Sequence, residues 1–219
     1  MELSIVIVTY NSRDPVASCL ESLERHPPSV SFETIVVDNA SSDGTAQFIR
    51  SRFPRIAVIG NETNRGYSKG VNQGARAASG RYVLVLNPDI MVEDGSIDRL
   101  VEFMDAHPRA GIAGARLLWP DGRVQPSCRA FYTIRALLLR RTFLGRLFPR
   151  AAALREHLMA DFDHLAARRV DWVIGACMIA RREAFEAVGP MDERFFLYFE
   201  DTDWCYLSLI HISEPTRPY

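Results

Sequence analysis

The chain lacks three features that would restrict its class at once: an excess of charge of one sign, a long apolar run and a set of closely spaced cysteines. Its 219 residues carry 26 Lys and Arg against 27 Asp and Glu, a net charge of −1. This balance gives no electrostatic argument for a nucleic-acid partner. No run approaches the roughly 20 apolar residues that a membrane-spanning helix needs. The composition, 47% hydrophobic and 24% charged, is that of a globular domain.

The spacing of the cysteines and the composition of the N-terminus exclude some features. Cys19, Cys128, Cys177 and Cys205 are scattered without a C-x-x-C pair, so we expect reduced thiols rather than disulfides or a zinc site. The first residues, "MELSIVIVTYN", enter a strand pattern without a basic stretch, which predicts that there is no signal peptide. We therefore expect a cytoplasmic protein.

The last residues depart from the pattern of the rest of the chain. From Leu207 the sequence reads "LSLIHISEPTRPY", which resembles the in-frame translation of a transposon-end adapter used in sequencing libraries. We therefore expect one domain at 1–206, truncated at its C-terminal end, and a non-native tail at 207–219. Sequencing of the source locus tests this expectation.

Apolar runs and helical patterns alternate through the first half of the chain. Strands are predicted at 3–9, 32–38, 56–61, 81–87 and 110–118, with helical segments between them, one of them at 16–25. This alternation predicts an α/β fold with a mostly parallel sheet covered by helices on both faces. In such sheets ligands bind at the carboxyl ends of the strands. Thr9, Asp38 and Asp89 all fall at or just after predicted strand ends.

The stretch "VLVLNPDIMV" (83–92) stops a buried strand at Asn87, Pro88 and Asp89. These three are ordinary turn residues. A carboxylate just beyond a strand can also ligate Mg²⁺ or Mn²⁺, which commonly bridges a carboxylate and substrate phosphates. The residues alone leave both interpretations open.

Other candidate site residues also have two interpretations. Asp38 could accept a hydrogen bond from a nucleotide base or ribose, or it could form the turn in "DNASSDG". Gly66, Gly70 and Gly74 could let backbone N–H groups approach phosphates, or they could allow close helix–sheet packing. The first strand ends in "VTYNSRD" without glycine, which argues against a nicotinamide or flavin enzyme.

The second half of the chain carries an acidic cluster and a basic segment. Glu200, Asp201 and Asp203 follow the aromatic run "FFLYF", where desolvation would raise a carboxyl pKa toward that of a useful base. Acids that complement a helix dipole are the alternative. The segment 133–155 has six arginines and no acid. It is typical either of a basic amphipathic helix on anionic lipid or of a surface helix with its apolar side on the core.

Together, "VTYN", "VVDNASSDGT", "NRGYSKGVNQG", "LNPD", "DWVIGACM" and "FFLYFEDTDWC" resemble a family 2 glycosyltransferase of the rhamnosyltransferase-like branch, over about residues 1–206. The resemblance implies the GT-A fold, that of nucleotide-diphospho-sugar transferases, with its Rossmann-like sheet. It also implies inverting transfer of a sugar from a dTDP- or UDP-sugar donor to a hydroxyl of a glycan or lipid-linked acceptor, in bacterial surface polysaccharide synthesis. Rhamnose is the preferred sugar.

The resemblance also assigns roles to residues. Those implied at the nucleotide-sugar donor are Thr9, Tyr10, Asn11, Asp38, Asn39, Asn64, Gly66, Asn72, Asn87 and Asp89. Those implied at the acceptor are Trp172, Gly175 and Ala176. Asp201 matches the catalytic base, with Glu200 beside it, and Asp89 matches the ligand of a divalent metal, Mg²⁺ or Mn²⁺. Asn87 replaces the first acid of the commoner D-x-D pattern, which would weaken metal binding, so metal dependence stays open.

Three other functions remain as alternatives. An inactive or truncated module that binds a nucleotide sugar would have no transfer activity to lose on mutation of Asp201. A sugar nucleotidyltransferase would need a glycine-rich basic signature after the first strand, and "TYNSRD" fits that poorly. An oxidoreductase is the remotest alternative. A peripheral contact with the inner face of an anionic membrane is compatible with the leading interpretation, and a nucleic-acid partner is not expected.

Overall fold

The apolar, β-branched runs of the chain form strands, as their composition predicts. The computed structural model describes residues 1–148 and 151–211. Its strands are β1 (Leu3–Thr9), β2 (Phe32–Asp38), β3 (Ala57–Gly60), β4 (Tyr82–Leu86), β5 (Ile112–Gly114), β6 (Leu117–Leu118), β7 (Val124–Gln125), β8 (Cys128–Arg129), β9 (Trp172–Val173) and β10 (Cys177–Arg181). Six of them form the central sheet in the order β3-β2-β1-β4-β10-β5, and β6-β7 and β8-β9 form two small pairs.

The sheet is parallel from β3 to β4 and antiparallel beyond it. β1 pairs in parallel with both β2 and β4, with Thr9 opposite Asp38. β10 runs antiparallel to β4 and β5, with Cys177 opposite Leu86. The mostly parallel sheet that the sequence predicts is therefore present. Because β10 is reversed, the residues just before it lie at the same edge of the sheet as the carboxyl ends of β1, β2 and β4.

Helices cover both faces of the sheet. They are α1 (Arg13–Arg25), α2 (Thr45–Arg52), α3 (Tyr67–Ala77), α4 (Ser96–Ala106), α5 (Ile134–Arg141), α6 (Leu144–Leu147), α7 (Ala152–His157), α8 (Arg182–Val188) and α9 (Glu200–His211). Leu3, Ile5 and Ile7 of β1 face a core shared with α1, α2 and α4. Val6 and Val8, on the opposite face, pack with residues of α3, α8 and α9. The two-residue period of a strand thus supplies both cores.

Two glycines set the distance between α3 and the sheet. A Cβ atom on Gly70 would lie 2.6 Å from Val8 Cγ1, and one on Gly74 would lie 2.2 Å from Val6 Cγ1. Both distances are far below van der Waals contact, so a side chain at either position would push α3 off the sheet. Gly70 and Gly74 therefore serve close helix–sheet packing, the second of the two interpretations above.

The structure also differs from the expected element boundaries. The strand predicted at 110–118 is split, since β5 joins the central sheet and β6 turns away to pair with β7. α1 begins at Arg13 instead of residue 16. Among the residues described, no helix is long and apolar enough to cross a membrane. α9 includes residues 207–211 of the predicted tail, and residues 212–219 lie outside the described part of the chain.

Substitution of Gly74 by Ala should destabilise the fold by about 1–2 kcal/mol, because overpacking against Val6 outweighs the gain of about 1 kcal/mol in helix propensity. The free energy of unfolding from denaturant titration measures this loss. In a Val6→Ala background the clashing methyl groups are absent, so Gly74→Ala should cost little or nothing there. Equal costs in the two backgrounds would contradict the packing argument.

Candidate active site

The carboxyl edge of the sheet brings together residues that are far apart in sequence. β1 ends at Thr9, β2 at Asp38 and β4 just before Asn87, all at this edge. The segment 174–176 reaches the edge just before β10, and Asn87 N–H donates to the Ala176 carbonyl at 2.8 Å. The predicted turn at 87–90 is present as well, since Ile90 N–H donates to the Asn87 carbonyl at 3.2 Å and leaves Asp89 exposed. Residues 87–90 therefore form a turn, and the same turn leaves the Asp89 carboxylate accessible to a ligand.

Asp38 is a buried carboxylate held by its neighbours. The Thr9 hydroxyl donates to Asp38 Oδ1 at 3.1 Å, and Ser41 N–H donates to Oδ2 at 3.0 Å. The side chain is 3% exposed. Both oxygens keep a further lone pair, so the structure is compatible with turn formation and with ligand recognition at the same time.

Tyr10 and Asn11 continue this corner of the edge. Tyr10 is 51% exposed. Asn11 has a positive φ of 47°, and its side-chain oxygen accepts from Ser42 N–H at 2.8 Å while its own N–H donates to the Ser41 hydroxyl at 2.9 Å. Asn11 thus connects the loop after β1 to the loop after β2, and the neighbouring Tyr10 side chain is exposed to solvent.

Asn39, Asn64 and Gly66 form a polar network at the start of α3. Asn39 Nδ2 donates to the Gly66 carbonyl at 3.0 Å, and Gly66 N–H donates to Asn64 Oδ1 at 3.0 Å. Gly66 has a φ of +87°, and a Cβ there would lie 2.7 Å from the Phe196 carbonyl oxygen. Tyr67 N–H donates to that same oxygen at 2.8 Å. These N–H groups are engaged within the chain, and Gly66 permits the close approach of the segment at Phe196.

Asn72 lies deeper, on α3, and is 1% exposed. Its amide donates to the Met191 carbonyl at 2.8 Å and accepts from Met191 N–H at 2.9 Å. Asn72 thereby anchors the segment that leads to the acidic cluster. Its predicted contact with the donor stays a prediction, and in this structure its amide is occupied by the backbone of Met191.

The Tyr67 hydroxyl lies at the centre of the site, and the sequence reasoning missed it. The oxygen is 3.0 Å from Asn87 Oδ1 and 3.0 Å from the Gly175 carbonyl oxygen. Burial and the charges of Glu200, Asp201 and Asp89 raise the pKa of Tyr67 well above its usual range, so the hydroxyl stays a neutral donor. The sequence feature that could have indicated Tyr67 is its position directly after Gly66, the glycine at the start of α3.

Gly175 links Asp201 to this tyrosine, since its carbonyl lies near the Tyr67 hydroxyl and its N–H donates to Asp201. Gly175 N–H donates to Asp201 Oδ2 at 3.1 Å, and Thr202 N–H donates to Oδ1 at 2.7 Å. Burial raises the pKa of Asp201, although these two hydrogen bonds act to lower it. The carboxylate is half-buried and fixed in orientation. A base for a substrate hydroxyl needs both properties.

Glu200 is more buried than Asp201, at 5% exposed. Its Oε2 atom has no hydrogen-bond partner among the residues described. Burial raises the pKa of Glu200 to about 7, and the charge of Asp201 adds to this effect. A buried carboxyl oxygen without a partner is unfavourable when it is ionised. The first turn of α9 thus contains two adjacent acids, Glu200 and Asp201, whose pKa values are both raised.

The predicted acceptor residues fall at two depths. Gly175 and Ala176 lie at the edge, in contact with Tyr67, Asn87 and Asp201 as described. Trp172 is 7% exposed, and its Nε1–H donates to the Ala130 carbonyl at 3.2 Å. Its ring is 6.2 Å from that of Tyr132, which is 5.7 Å from that of Phe199. Trp172 therefore belongs to an aromatic cluster that includes Phe199, the residue before Glu200.

This edge of the sheet offers few protein ligands for a divalent metal. The described residues contain no group of three or more His, Cys, Asp or Glu side chains placed to hold an ion. Asp89 is exposed at the edge, and the Asn87 oxygen beside it accepts from Tyr67. One carboxylate plus substrate phosphates and water is a usual set for Mg²⁺. The residues present therefore fit an ion that is held jointly by Asp89 and a bound diphosphate.

The raised pKa of Glu200 predicts a pH dependence of stability. In the folded chain the pKa of Glu200 is about 7, so the carboxyl holds its proton more tightly there than in the unfolded chain. Its contribution to the free energy of unfolding is therefore complete below pH about 4.5 and is lost as the pH rises to 7. The free energy of unfolding should therefore fall by up to about 3 kcal/mol over this range, relative to Glu200→Gln. The matched control is Glu186→Gln, at an exposed position of α8. If wild type and Glu200→Gln had parallel pH profiles, Glu200 would not be the titrating group.

Comparison with solved structures identifies the fold. The chain superposes on Staphylococcus aureus TarS (residues 1–349) with a TM-score of 0.65 at 19% identity, over 96% of this chain and 56% of that one. It superposes on the mannosyltransferase PcManGT from Pyrobaculum calidifontis, solved with GDP-Man and Mn²⁺, with a TM-score of 0.65 at 18% identity, over 96% and 53%. The chain thus spans about half the length of these two solved chains, and their fold is the GT-A fold that the sequence predicts.

Curated relatives and a family model identify the family. The chain is 35% identical over 219 residues to the N-acetylglucosaminyl-diphospho-decaprenol L-rhamnosyltransferase of Mycobacterium tuberculosis, covering 92% of this chain and 68% of the relative. It is 30% identical to the low-salt glycan biosynthesis hexosyltransferase Agl10 of Haloferax volcanii, covering 94% and 61%. The model of glycosyl transferase family 2 matches residues 4–189. The chain therefore belongs to family 2 of the glycosyltransferases and is rhamnosyltransferase-like.

Proposed function

We propose that the protein transfers a sugar, with rhamnose the first candidate, from a nucleotide-diphosphate donor to a hydroxyl of a glycan or lipid-linked acceptor, with inversion at the anomeric carbon. The observation that carries the proposal is the position of Asp201, a fixed and partly desolvated carboxylate in contact with Gly175, close to Tyr67 and Asn87. The printed name of the Mycobacterium tuberculosis relative, with its diphospho-decaprenol acceptor and L-rhamnosyl group, supports the choice of sugar and acceptor.

Asp201 is the proposed base. It would accept the proton of the acceptor hydroxyl as that oxygen attacks the anomeric carbon, and the bond to the nucleoside diphosphate would break on the opposite side. Its orientation is set by two backbone N–H groups, so little reorganisation is needed during the reaction. Glu200 is too deeply buried to reach an acceptor. We propose that it acts beside Asp201, where its charge state at neutral pH affects the neighbouring carboxylate.

The donor would lie along the edge from Asp38 to Asp89. Asp38, which accepts a hydrogen bond from the Thr9 hydroxyl, would recognise the base or ribose, and the exposed Tyr10 ring would cover the base. Asn11, Asn39, Asn64 and Gly66 hold the loops at this edge through hydrogen bonds. A divalent ion bound by Asp89 would neutralise the diphosphate as it departs. The Mn²⁺ in the solved mannosyltransferase PcManGT supports this assignment.

Asp201→Asn should abolish sugar transfer and leave donor binding intact, because the amide keeps the shape and loses the basicity of the carboxylate. Loss of a general base lowers rates by about 10²–10⁴-fold. Transfer to an acceptor lipid or glycan measures activity, and the thermal shift produced by dTDP- or UDP-sugars measures binding. Asp94→Asn, at a 95% exposed side chain, is the matched control.

Retained transfer in Asp201→Asn would exclude it as the base. Donor binding by the wild-type chain with no transfer, unaffected by the substitution, would instead favour the alternative of an inactive nucleotide-sugar-binding module. Absence of a shift with every nucleotide would count against the proposed donor groove itself.

Asp89→Asn should remove the metal dependence of donor binding. A nucleotide that binds only the folded state raises its melting temperature, and we expect the shift with dTDP or UDP to be larger with Mn²⁺ than without it. In Asp89→Asn the two shifts should be equal. A metal-dependent shift that persists in the variant would place the ion elsewhere.

A further inference from the structure

Helix α5 does not use its apolar residues to pack on the core. Of its described residues only Ala136 is fully buried, whereas Ile134 is 80% exposed, Leu138 is 51% exposed and Leu137 is 41% exposed. The sequence left open a surface helix with its apolar side on the core. The structure excludes that arrangement for α5, since this side faces outward.

The exposed apolar surface continues beyond α5. Phe143, Leu147 and Phe148 are 69%, 62% and 58% exposed. A single exposed leucine is ordinary, but a cluster of large apolar side chains on one short segment marks an interaction site. We call the described side chains of residues 134–148 the α5–α6 surface.

Positive charge lies among these apolar side chains. Arg135, Arg140, Arg141 and Arg146 are exposed, and no acid occurs from residue 133 to 155. In the described part of the chain, none of the four forms an ion pair with a carboxylate. The net charge of the whole chain is only −1, so this accumulation of cations is local.

Apolar and cationic groups share one cleft. A cavity of about 570 Å³ is lined by Arg140, Arg141 and Arg146 together with Leu139, Phe143 and Leu154. The guanidinium groups are therefore interleaved with the apolar side chains and are not on a separate face.

We propose that the α5–α6 surface docks on a membrane rich in anionic lipids. The arginines would bind the headgroup phosphates, and the exposed leucine, isoleucine and phenylalanine side chains would enter the boundary between headgroups and acyl chains. A nucleic acid or an acidic peptide would neutralise the arginines but would leave the aliphatic side chains in water. A membrane surface satisfies both groups at once.

The surface adjoins the candidate active site. The Arg141 guanidinium lies 5.5 Å from the centre of the Phe199 ring, and Phe199 immediately precedes Glu200. Phe196, Leu197 and Tyr198, just before it, are also more than half exposed. A membrane held at the α5–α6 surface would therefore lie beside the acids. This last step rests on the proposed function, since it would deliver a lipid-linked acceptor to Asp201.

The test is flotation of the purified chain with vesicles of phosphatidylcholine alone or mixed with phosphatidylglycerol. We expect binding to the anionic vesicles only, weakened by added salt. Arg135→Ser with Arg146→Ser should reduce binding roughly 30-fold, because each basic residue near an anionic surface contributes about fivefold. The matched control is Arg55→Ser with Arg109→Ser, two exposed arginines outside this surface.

Apolar and folding controls make the result decisive. Ile134→Ser should also weaken vesicle binding, whereas Trp119→Ser, at an exposed position between β6 and β7, should not. Circular dichroism and the melting temperature confirm that each variant is folded. If the double arginine variant fails to fold, Ile134→Ser decides alone.

Equal binding to neutral vesicles, no binding to either kind, or unchanged binding in Ile134→Ser and the arginine variant would overturn the proposal. So would a dimer in sedimentation that Ile134→Ser dissociates, since the surface would then be covered by a second copy. Donor-induced thermal shifts are measured separately. Vesicle binding without any donor shift would overturn the proposed function and keep the membrane surface.

Discussion

The site depends on one hydroxyl group. Tyr67 sits at the start of α3, and its oxygen lies within hydrogen-bond distance of Asn87 after β4 and of the Gly175 carbonyl before β10. Gly175 in turn holds Asp201. Three segments, the first and last of which are more than a hundred residues apart in sequence, thus meet at this one hydroxyl group. Because the close packing of α3 on the sheet fixes Tyr67, the position of the candidate site follows from the same contacts that form the core.

Burial makes ionisation of both acids in the first turn of α9 unfavourable. Glu200 has a buried oxygen without a partner among the described residues, and its pKa is raised to about 7. Asp201 is more accessible, and burial raises its pKa although two backbone N–H groups donate to it and act to lower the pKa. The two carboxyl groups are adjacent in sequence, but Glu200 is buried and Asp201 is only partly buried. The first turn of α9 therefore holds a buried carboxyl with a raised pKa beside a more accessible carboxylate.

Much of the fold follows from the sequence, because buried strands and the helices between them carry clear periodicity. β1, β2 and β4 appear where the apolar runs predict them, and strand ends bring Asp38 and Asp89 to one edge. The antiparallel direction of β10 and the outward-facing leucines of α5 depend on tertiary pairing that no local pattern encodes. The role of Tyr67 also depends on tertiary contacts. Its hydroxyl lies near Asn87 and Gly175, which are distant in sequence, so the local pattern around Tyr67 does not predict these contacts.

The reversed strand β10 has a consequence for synthesis of the protein. β4 ends at Leu86, and its partner on the open side ends at Arg181, roughly 95 residues later. At about 5–20 residues per second of translation, β4 remains an unpaired apolar edge for about 5–20 s on each nascent chain. An edge of this kind can pair with strands of other chains. Pairing of β10 with β4 ends this interval, and a pause in translation between residues 86 and 181 would lengthen it.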